Sequence, residues 1–350
     1  MLIYGANGYT GELIAREAVR RGMQPILAGR DSDAIGRLAA ELNCPSRSFA
    51  LASSTAIERE LAGVRVVLNC AGPFSATAGP MIEACLVAKA NYLDITGEID
   101  VIEAAARLHE RAVVAGVAII PAVGFDVVPS DCLAAMLAAA LPSATHLQLA
   151  FTGGRISRGT AKTLLEILPQ GGRVRIDGQI RRVPVAWNTL EVPFPKRKRS
   201  AVTVPWGDVA SAFHSTGIPN IEVYVAMPLA QIRRMRRMKW LLPLLKLAPF
   251  RWLAQRMIES RITGPSAAER EQQQSSIWGR ASDLTGRVVG ATLVVPSGYT
   301  LTALTALASF ERVLDGKAPT GFSTPSRAFG KEFILSIPGT ELKWNDQLTT

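Results

Sequence analysis

Three glycines recur at every third position in "YGANGYTG": Gly5, Gly8 and Gly11. A backbone without Cβ atoms at such points can lie against a pyrophosphate. A helix starting beside it adds N–H groups and the positive end of its dipole. The spacing G-x-x-G-x-x-G is one residue longer than the usual dinucleotide fingerprint, and alone it also describes a bare strand-to-helix turn. Context favours the nucleotide: apolar "LIY" precedes the loop and an amphipathic pattern follows it, as such a loop requires.

Two further stretches extend the same chemistry. "LAGRD" ends the second apolar run and places Arg30 where an NAD site would carry an acid for the ribose hydroxyl,. A guanidinium there bonds a 2′-phosphate in a fork and stacks on adenine, so NADP(H) is the expected cofactor. Asp31 reads two ways, as a ribose acid one position late or as the cap of the next helix. "NCAGPF" (69–74) follows a third apolar strand, at the crevice of an open α/β sheet. Asn69, Ala71 and Gly72 are expected beside the ribose and nicotinamide half. Cys70 reads as a small buried thiol, with no histidine nearby to activate it.

The elements that must hold these loops follow from periodicity. Short apolar runs at 2–4, 25–29, 64–72, 91–95 and 117–123 alternate with helical patterns at about 10–21, 34–42, 79–89 and 101–115. This predicts βαβ units and a Rossmann-type parallel sheet over residues 1–128. Beyond residue 145 the strands carry polar alternation, as in "RVRIDGQIRRVPV" with a hairpin at Asp177-Gly178,. The expectation for 129–297 is an α+β substrate or dimerisation domain on a largely antiparallel sheet. A helix at about 300–314 follows, and "EFILSI" (332–337) reads as a terminal strand before the tail.

Composition narrows the class. Of 350 residues, 48% are hydrophobic and 19% charged, as in ordinary globular proteins,. The formal charge of +10 favours anionic ligands or surfaces,. Four cysteines without close pairing and three scattered histidines predict neither a disulfide framework nor a metal site,. The opening strand leaves no room for a signal peptide and the longest apolar stretch is too short to span a bilayer, which predicts a cytoplasmic location,.

Taken together, "YGANGYTG", "LAGR", "NCAGPF", "YLDITGE" (92–98) and "PAVGFDVVPSD" (121–131) resemble the saccharopine dehydrogenase-like oxidoreductases. "SRGTAKT" (157–163) and "PSGYTLTALTA" (296–306) extend the resemblance more loosely. Within the family the chain is more similar to the branch with trans-acting enoyl reductases than to the lysine-pathway enzymes. The resemblance implies a nucleotide domain, a second α/β domain and a C-terminal segment, about 298–330, returning to the first. It also implies pyrophosphate contacts from Gly5, Asn7, Gly8, Tyr9, Thr10 and Gly11, with Arg30 on the 2′-phosphate and Ala71 and Gly72 under the nicotinamide ribose.

An acyl C=C substrate needs hydride at one carbon, a stabiliser for the developing enolate and a proton donor. Tyr92, Asp94, Thr96, Glu98, Asp126 and Asp131 stand at strand ends expected to face the crevice, and Lys162 is a candidate from the second domain. Each has a structural reading as well: Asp94 and Glu98 ordering a loop or capping a helix near Asp100, Asp131 capping a helix after Pro129. An imine or amino-acid reaction of saccharopine type is the alternative chemistry, and a non-catalytic NADP-binding scaffold at a lipid surface is the alternative class.

One segment belongs to none of this. "QIRRMRRMKWLLPLLKLAPFRWLAQRM" (231–257) mixes arginines with tryptophans and leucines. It suits an anionic membrane surface, an acidic acyl-carrier partner, or a helical pair that closes a cleft or forms a homodimer interface. No nucleic-acid module accompanies it, so no nucleic-acid partner is expected.

Overall fold

The computed structural model describes residues 1–52, 54–152, 157–238, 242, 244, 245, 247–262 and 264–345. Strands β1 (Leu2–Tyr4), β2 (Ile26–Gly29), β3 (Ser46–Ser48), β4 (Val66–Asn69), β5 (Asn91–Asp94) and β6 (Ala118–Ile120) interleave with helices. These are α1 (Tyr9–Arg20), α2 (Ser32–Leu42), α3 (Ser54–Glu60), α4 (Phe74–Ala88), α5 (Ile99–Ala106), α6 (His109–Ala115) and α7 (Val128–Ala140). The strands pair in parallel in the order β6-β5-β4-β1-β2-β3. Every residue of β1 and of β4 is buried, which is why these strands read as nearly continuous apolar runs. The order reverses between β1 and β4, and a crevice opens at the carboxyl ends of strands so placed.

The second part begins with β7 (His146–Thr152), α8 (Arg158–Ile167), β8 (Gly172–Ile176), β9 (Gln179–Val183), β10 (Thr189–Phe194) and β11 (Arg197–Thr203). It continues through α9 (Asp208–Thr216), β12 (Asn220–Ala226), α10 (Leu229–Met238), α11 (Ala248–Arg261), α12 (Ala267–Gln272), β13 (Gln274–Ser282) and β14 (Val288–Pro296). Then follow α13 (Gly298–Leu314), β15 (Gly321–Phe322), α14 (Pro325–Phe329) and β16 (Glu341–Asn345). The second sheet runs β10-β11-β12-β7-β13-β14-β16, with β8 and β9 beside β12. Within it β12 and β7 pair in parallel while the other pairs are antiparallel. Asp177 and Gly178 both take positive φ, 50° and 75°, the backbone that a tight β8–β9 hairpin needs.

The chain forms two compact units, Met1–Val128 with Tyr299–Ile337, and Pro129–Gly298 with Pro338–Thr350. In the first, β15 adds a seventh strand beside β6.

Three local expectations are corrected. The helix read at 101–115 is two, because the Leu108 N–H turns to Ala105 O rather than continuing the α-helical ladder. "EFILSI" is not a strand: Phe333–Ser336 is a 3₁₀ turn that buries the consecutive Phe333 and Ile334, whereas a strand would send neighbours to opposite faces. The terminal strand is β16, paired with β14. Helix α4 begins at Phe74, five residues before the expected Gly79, because its cap comes from elsewhere in the chain.

Candidate functional site

Two loops meet where β1 and β4 end. Gly5 has φ +80°, and its N–H donates to Ala28 O at 2.7 Å. A Cβ on Gly5 would lie 2.8–2.9 Å from the nitrogen, Cα and Cβ of Ala71. One on Gly11 would lie 2.3 Å from Gly5 O. Larger residues at either point would force the loop and α1 apart. Gly8 occupies the N-cap of α1 and puts no side chain over its first turn, so the helix start is shaped to receive an anion. The cradle fits a pyrophosphate.

Arg30, at the end of β2, is exposed and forms no hydrogen bond or ion pair among the described residues. Asp31 accepts the Ala34 N–H at 3.0 Å and caps α2. Of the two readings of Asp31, the structure shows the cap, which leaves Arg30 as the charged group on offer. Gly29 keeps this edge narrow, since a Cβ there would lie 3.1 Å from Asn7 Oδ1.

Ala71 is held through its backbone. Its N–H donates to Asn69 Oδ1 at 3.1 Å, and Thr77 Oγ1 donates to its carbonyl at 2.6 Å. Asn69 Nδ2 donates to Tyr92 OH at 3.3 Å, and Tyr92 OH donates to Asp94 Oδ2 at 2.8 Å. Asp94 Oδ1 in turn accepts the N–H groups of Thr96 (2.9 Å) and Ala122 (2.8 Å). Ala122 sits at φ +61°, a conformation that costs an alanine about 1 to 2 kcal/mol and that the Asp94 bond helps to hold. Asn69, Tyr92, Asp94 and Thr96 have no accessible surface. Burial pushes Asp94 up to about 6, against the pull of its three hydrogen bonds. Burial, and then the charge of Asp94, pushes Tyr92 well above its ordinary value, so it stays a donor. The same two causes keep the Cys70 thiol protonated, which suits packing and not nucleophilic attack.

The acids expected to line the crevice therefore separate. Tyr92 and Asp94 are interior groups that position the Ala71 and Ala122 loops. Glu98 spends both oxygens on α4, accepting the N–H of Phe74 at 2.8 Å and of Ser75 at 2.9 Å. Asp126 is partly exposed and packs against Gly97, where a Cβ would lie 3.2 Å from Asp126 Oδ2. Asp131 is buried in the second unit against Ser215 Oγ. Lys162, also in that unit, pairs with Glu259 at 2.8 Å on an exposed face.

Sequence reasoning missed three residues of this region: Thr77, Thr302 and Tyr299. Thr302 Oγ1 accepts the Phe125 N–H at 3.0 Å, and the Tyr299 ring meets the Tyr9 ring edge-on at 5.0 Å. Both lie in "PSGYTLTALTA", so α13 braces the Phe125 loop and the start of α1 within the first unit.

Residues 1–120 match the family model described as the saccharopine dehydrogenase NADP binding domain. The match covers about the first third of the chain. A saccharopine dehydrogenase-like oxidoreductase of Homo sapiens is 30% identical over 151 residues, 37% of this chain and 35% of the relative. A trans-acting enoyl reductase of Mycobacterium bovis is 32% identical over 139 residues, 37% of this chain and 33% of the relative. The matched region thus spans about a third of these curated relatives. Among solved structures, the fold is similar to saccharopine dehydrogenase (L-Glu forming) from Saccharomyces cerevisiae. The TM-score is 0.66 at 11% identity, covering 98% of this chain and 99% of that one. A homospermidine synthase from Legionella pneumophila, solved in complex with NAD, gives 0.65 at 10% identity, covering 99% and 91%. Among the described residues no helix is long and apolar enough to cross a membrane.

Proposed function

We propose that this chain is an NADP(H)-dependent oxidoreductase that transfers a hydride between the nicotinamide and an activated acyl or enoyl substrate. The observation that carries the reading is the Ala71 clamp: a loop fixed by Asn69 and Thr77 is pressed onto a glycine-cradled helix start, with an uncommitted Arg30 at the ribose edge. When bound, the cofactor supplies the hydride. The first turn of α1 and the Gly5–Gly11 loop would hold the pyrophosphate, Arg30 the 2′-phosphate, and the Ala71–Gly72 backbone the nicotinamide ribose.

Hydride addition to an acyl C=C leaves an enolate that must gain a proton. Tyr92, Asp94 and Glu98 are committed to the scaffold. Asp126 is partly exposed beside Gly97 while Asp94, Glu98 and Asp131 are buried, and on that exposure we assign it the handling of that proton. The enoyl class is supported by the trans-acting enoyl reductase among the relatives.

The test is a paired fluorescence titration with NADPH and NADH, for the wild type and Arg30→Ala. A fork to phosphate is worth about 2 kcal/mol, so the variant should lose about thirtyfold in NADPH affinity and little in NADH affinity. Equal effects on both cofactors would remove Arg30 from the site. Turnover of a trans-2-enoyl thioester with NADPH, weakened by Asp126→Asn with cofactor affinity unchanged, tests the substrate class.

A further inference from the structure

Half of the exposed large apolar side chains among the described residues fall between Leu229 and Met257. On and just before α11, Leu247, Phe250, Trp252, Leu253 and Met257 are 46–58% exposed. Isolated exposed leucines are ordinary, but five such side chains within eleven positions form a feature that needs a partner.

Helix α11 is fixed along one side. It packs on α8, where Lys162 pairs with Glu259 and Arg158 Nε donates to Ile262 O at 2.6 Å. Ala254, Gln255 and Ile258 are half-buried on that side. At 100° per residue, Phe250, Leu253 and Met257 form one stripe on the outer face. Trp252 lies across Arg256 from the stripe, with the guanidinium over its ring, 5.4 Å from the centroid,.

The charge on α11 and on the helix that precedes it has one sign. Arg251, Arg256 and Arg261 stand on α11, and its only acid, Glu259, is engaged by Lys162. Preceding it, α10 carries Arg233, Arg234, Arg236 and Arg237 with no acid. Ile232 is buried and Arg236 Nε donates to Ala186 O, which anchors α10, while Arg233, Arg234 and Arg237 are exposed. Lys239 and Trp240, part of the same basic stretch, lie outside the described residues.

We infer that the exposed face of α11, with the arginines of α10, docks on an anionic lipid surface. A tryptophan stacked under an arginine beside leucine, methionine and phenylalanine suits the headgroup layer, where apolar side chains insert and guanidinium groups meet phosphate. A second copy of the chain is disfavoured as occupant, because a two-fold interface sets the patch against itself and brings these arginines opposite one another. The segment lies on the surface rather than spanning it.

The test is co-sedimentation of the full chain with vesicles of phosphatidylcholine alone, or with one part in three of phosphatidylglycerol. The variants are Trp252→Ala/Leu253→Ala/Met257→Ala and Arg233→Ala/Arg234→Ala/Arg237→Ala, each checked for unchanged NADPH affinity. The wild type should prefer the anionic vesicles and lose binding at high salt, and each triple variant should bind about tenfold or more weakly. Equal binding to both vesicle types overturns the inference, as does wild-type binding by the apolar triple variant. A dimer in sedimentation velocity that the apolar variant dissolves would assign the face to a second copy. Capture of an acidic carrier protein, without vesicle binding, would assign it to that partner.

Discussion

Ala71 lies against Gly5 so closely that a Cβ on Gly5 would fall within 2.9 Å of its backbone nitrogen and Cα. Neither loop has slack to yield. Asn69 and Thr77 hold the N–H and carbonyl of Ala71, and Ala28 O accepts the N–H groups of both Gly5 and Ala6. The contact therefore joins the loop after β1 to the loop after β4 across the reversal point of the sheet.

Gly5→Ala should be among the most damaging single-methyl changes in the chain. It adds a side chain at positive φ and a clash with fixed backbone, each costing about 1 to 3 kcal/mol. Denaturant unfolding should show a loss of about 3 kcal/mol, together with loss of NADPH binding. Gly36→Ala is the contrast, because a Cβ there would meet nothing within 4 Å and the residue sits within α2. That variant should gain about 0.5 to 1 kcal/mol. Similar changes in both variants would mean that the Gly5–Ala71 approach is not a constraint.

Glu98 ties the start of α4 to the start of α5, and the tie is structural. In Glu98→Gln one oxygen still accepts, while an NH₂ group faces the N–H of Phe74 or Ser75. The charge-assisted bond lost there costs about 1.5 to 3 kcal/mol. Melting temperature should fall while the pH profile of turnover keeps its shape. A profile displaced along the pH axis at unchanged stability would instead make Glu98 a proton-transfer group.

The parallel sheet was legible because strands covered on both faces, such as β4 with its Val66-Val67-Leu68 run, must be almost wholly apolar,. The cradle was legible because glycine is demanded by close approach. The acids were harder. Tyr92 and Asp94 occupy strand ends, and a polar residue there has the same sequence signature whether it points into a crevice or into the interior. Only the three partners of Asp94 show which. The cap that Glu98 supplies is 24 residues from the N–H it satisfies, beyond any local pattern. Asp31, whose cap is three residues away, was visible as one of two readings. Thr77 and Thr302 look like ordinary helix residues until the loops they hold are placed beside them.

Lys162 and Glu259 form an ion pair with side chains 43% and 57% exposed. Exposed pairs contribute little because water screens the charges and two long side chains lose freedom. Lys162→Ala should leave stability within about 0.5 kcal/mol and NADPH affinity unchanged in the fluorescence titration. A larger stability loss would show that the pair anchors α11 to α8 more firmly than its exposure indicates.

Asp94 gives the fold a pH dependence of definite sign. Burial raises its pKa to about 6 from 3.8, so between those values the folded chain binds more protons than the unfolded chain. Stability from this group is greatest below about pH 4 and is lost as pH rises through about 6, by about 3 kcal/mol in all. Asp94→Asn removes the titration and keeps an oxygen for the Thr96 and Ala122 N–H groups. Its NH₂ then faces Tyr92 OH, which loses its acceptor, at a pH-independent cost of about 1 to 2 kcal/mol. Denaturant unfolding at pH 4, 5, 6 and 7 should show the variant weaker than wild type at pH 4. The difference should shrink or reverse by pH 7. Curves that stay parallel across the range would mean that Asp94 titrates alike in the folded and unfolded chains, and that its buried network tolerates the charge without cost.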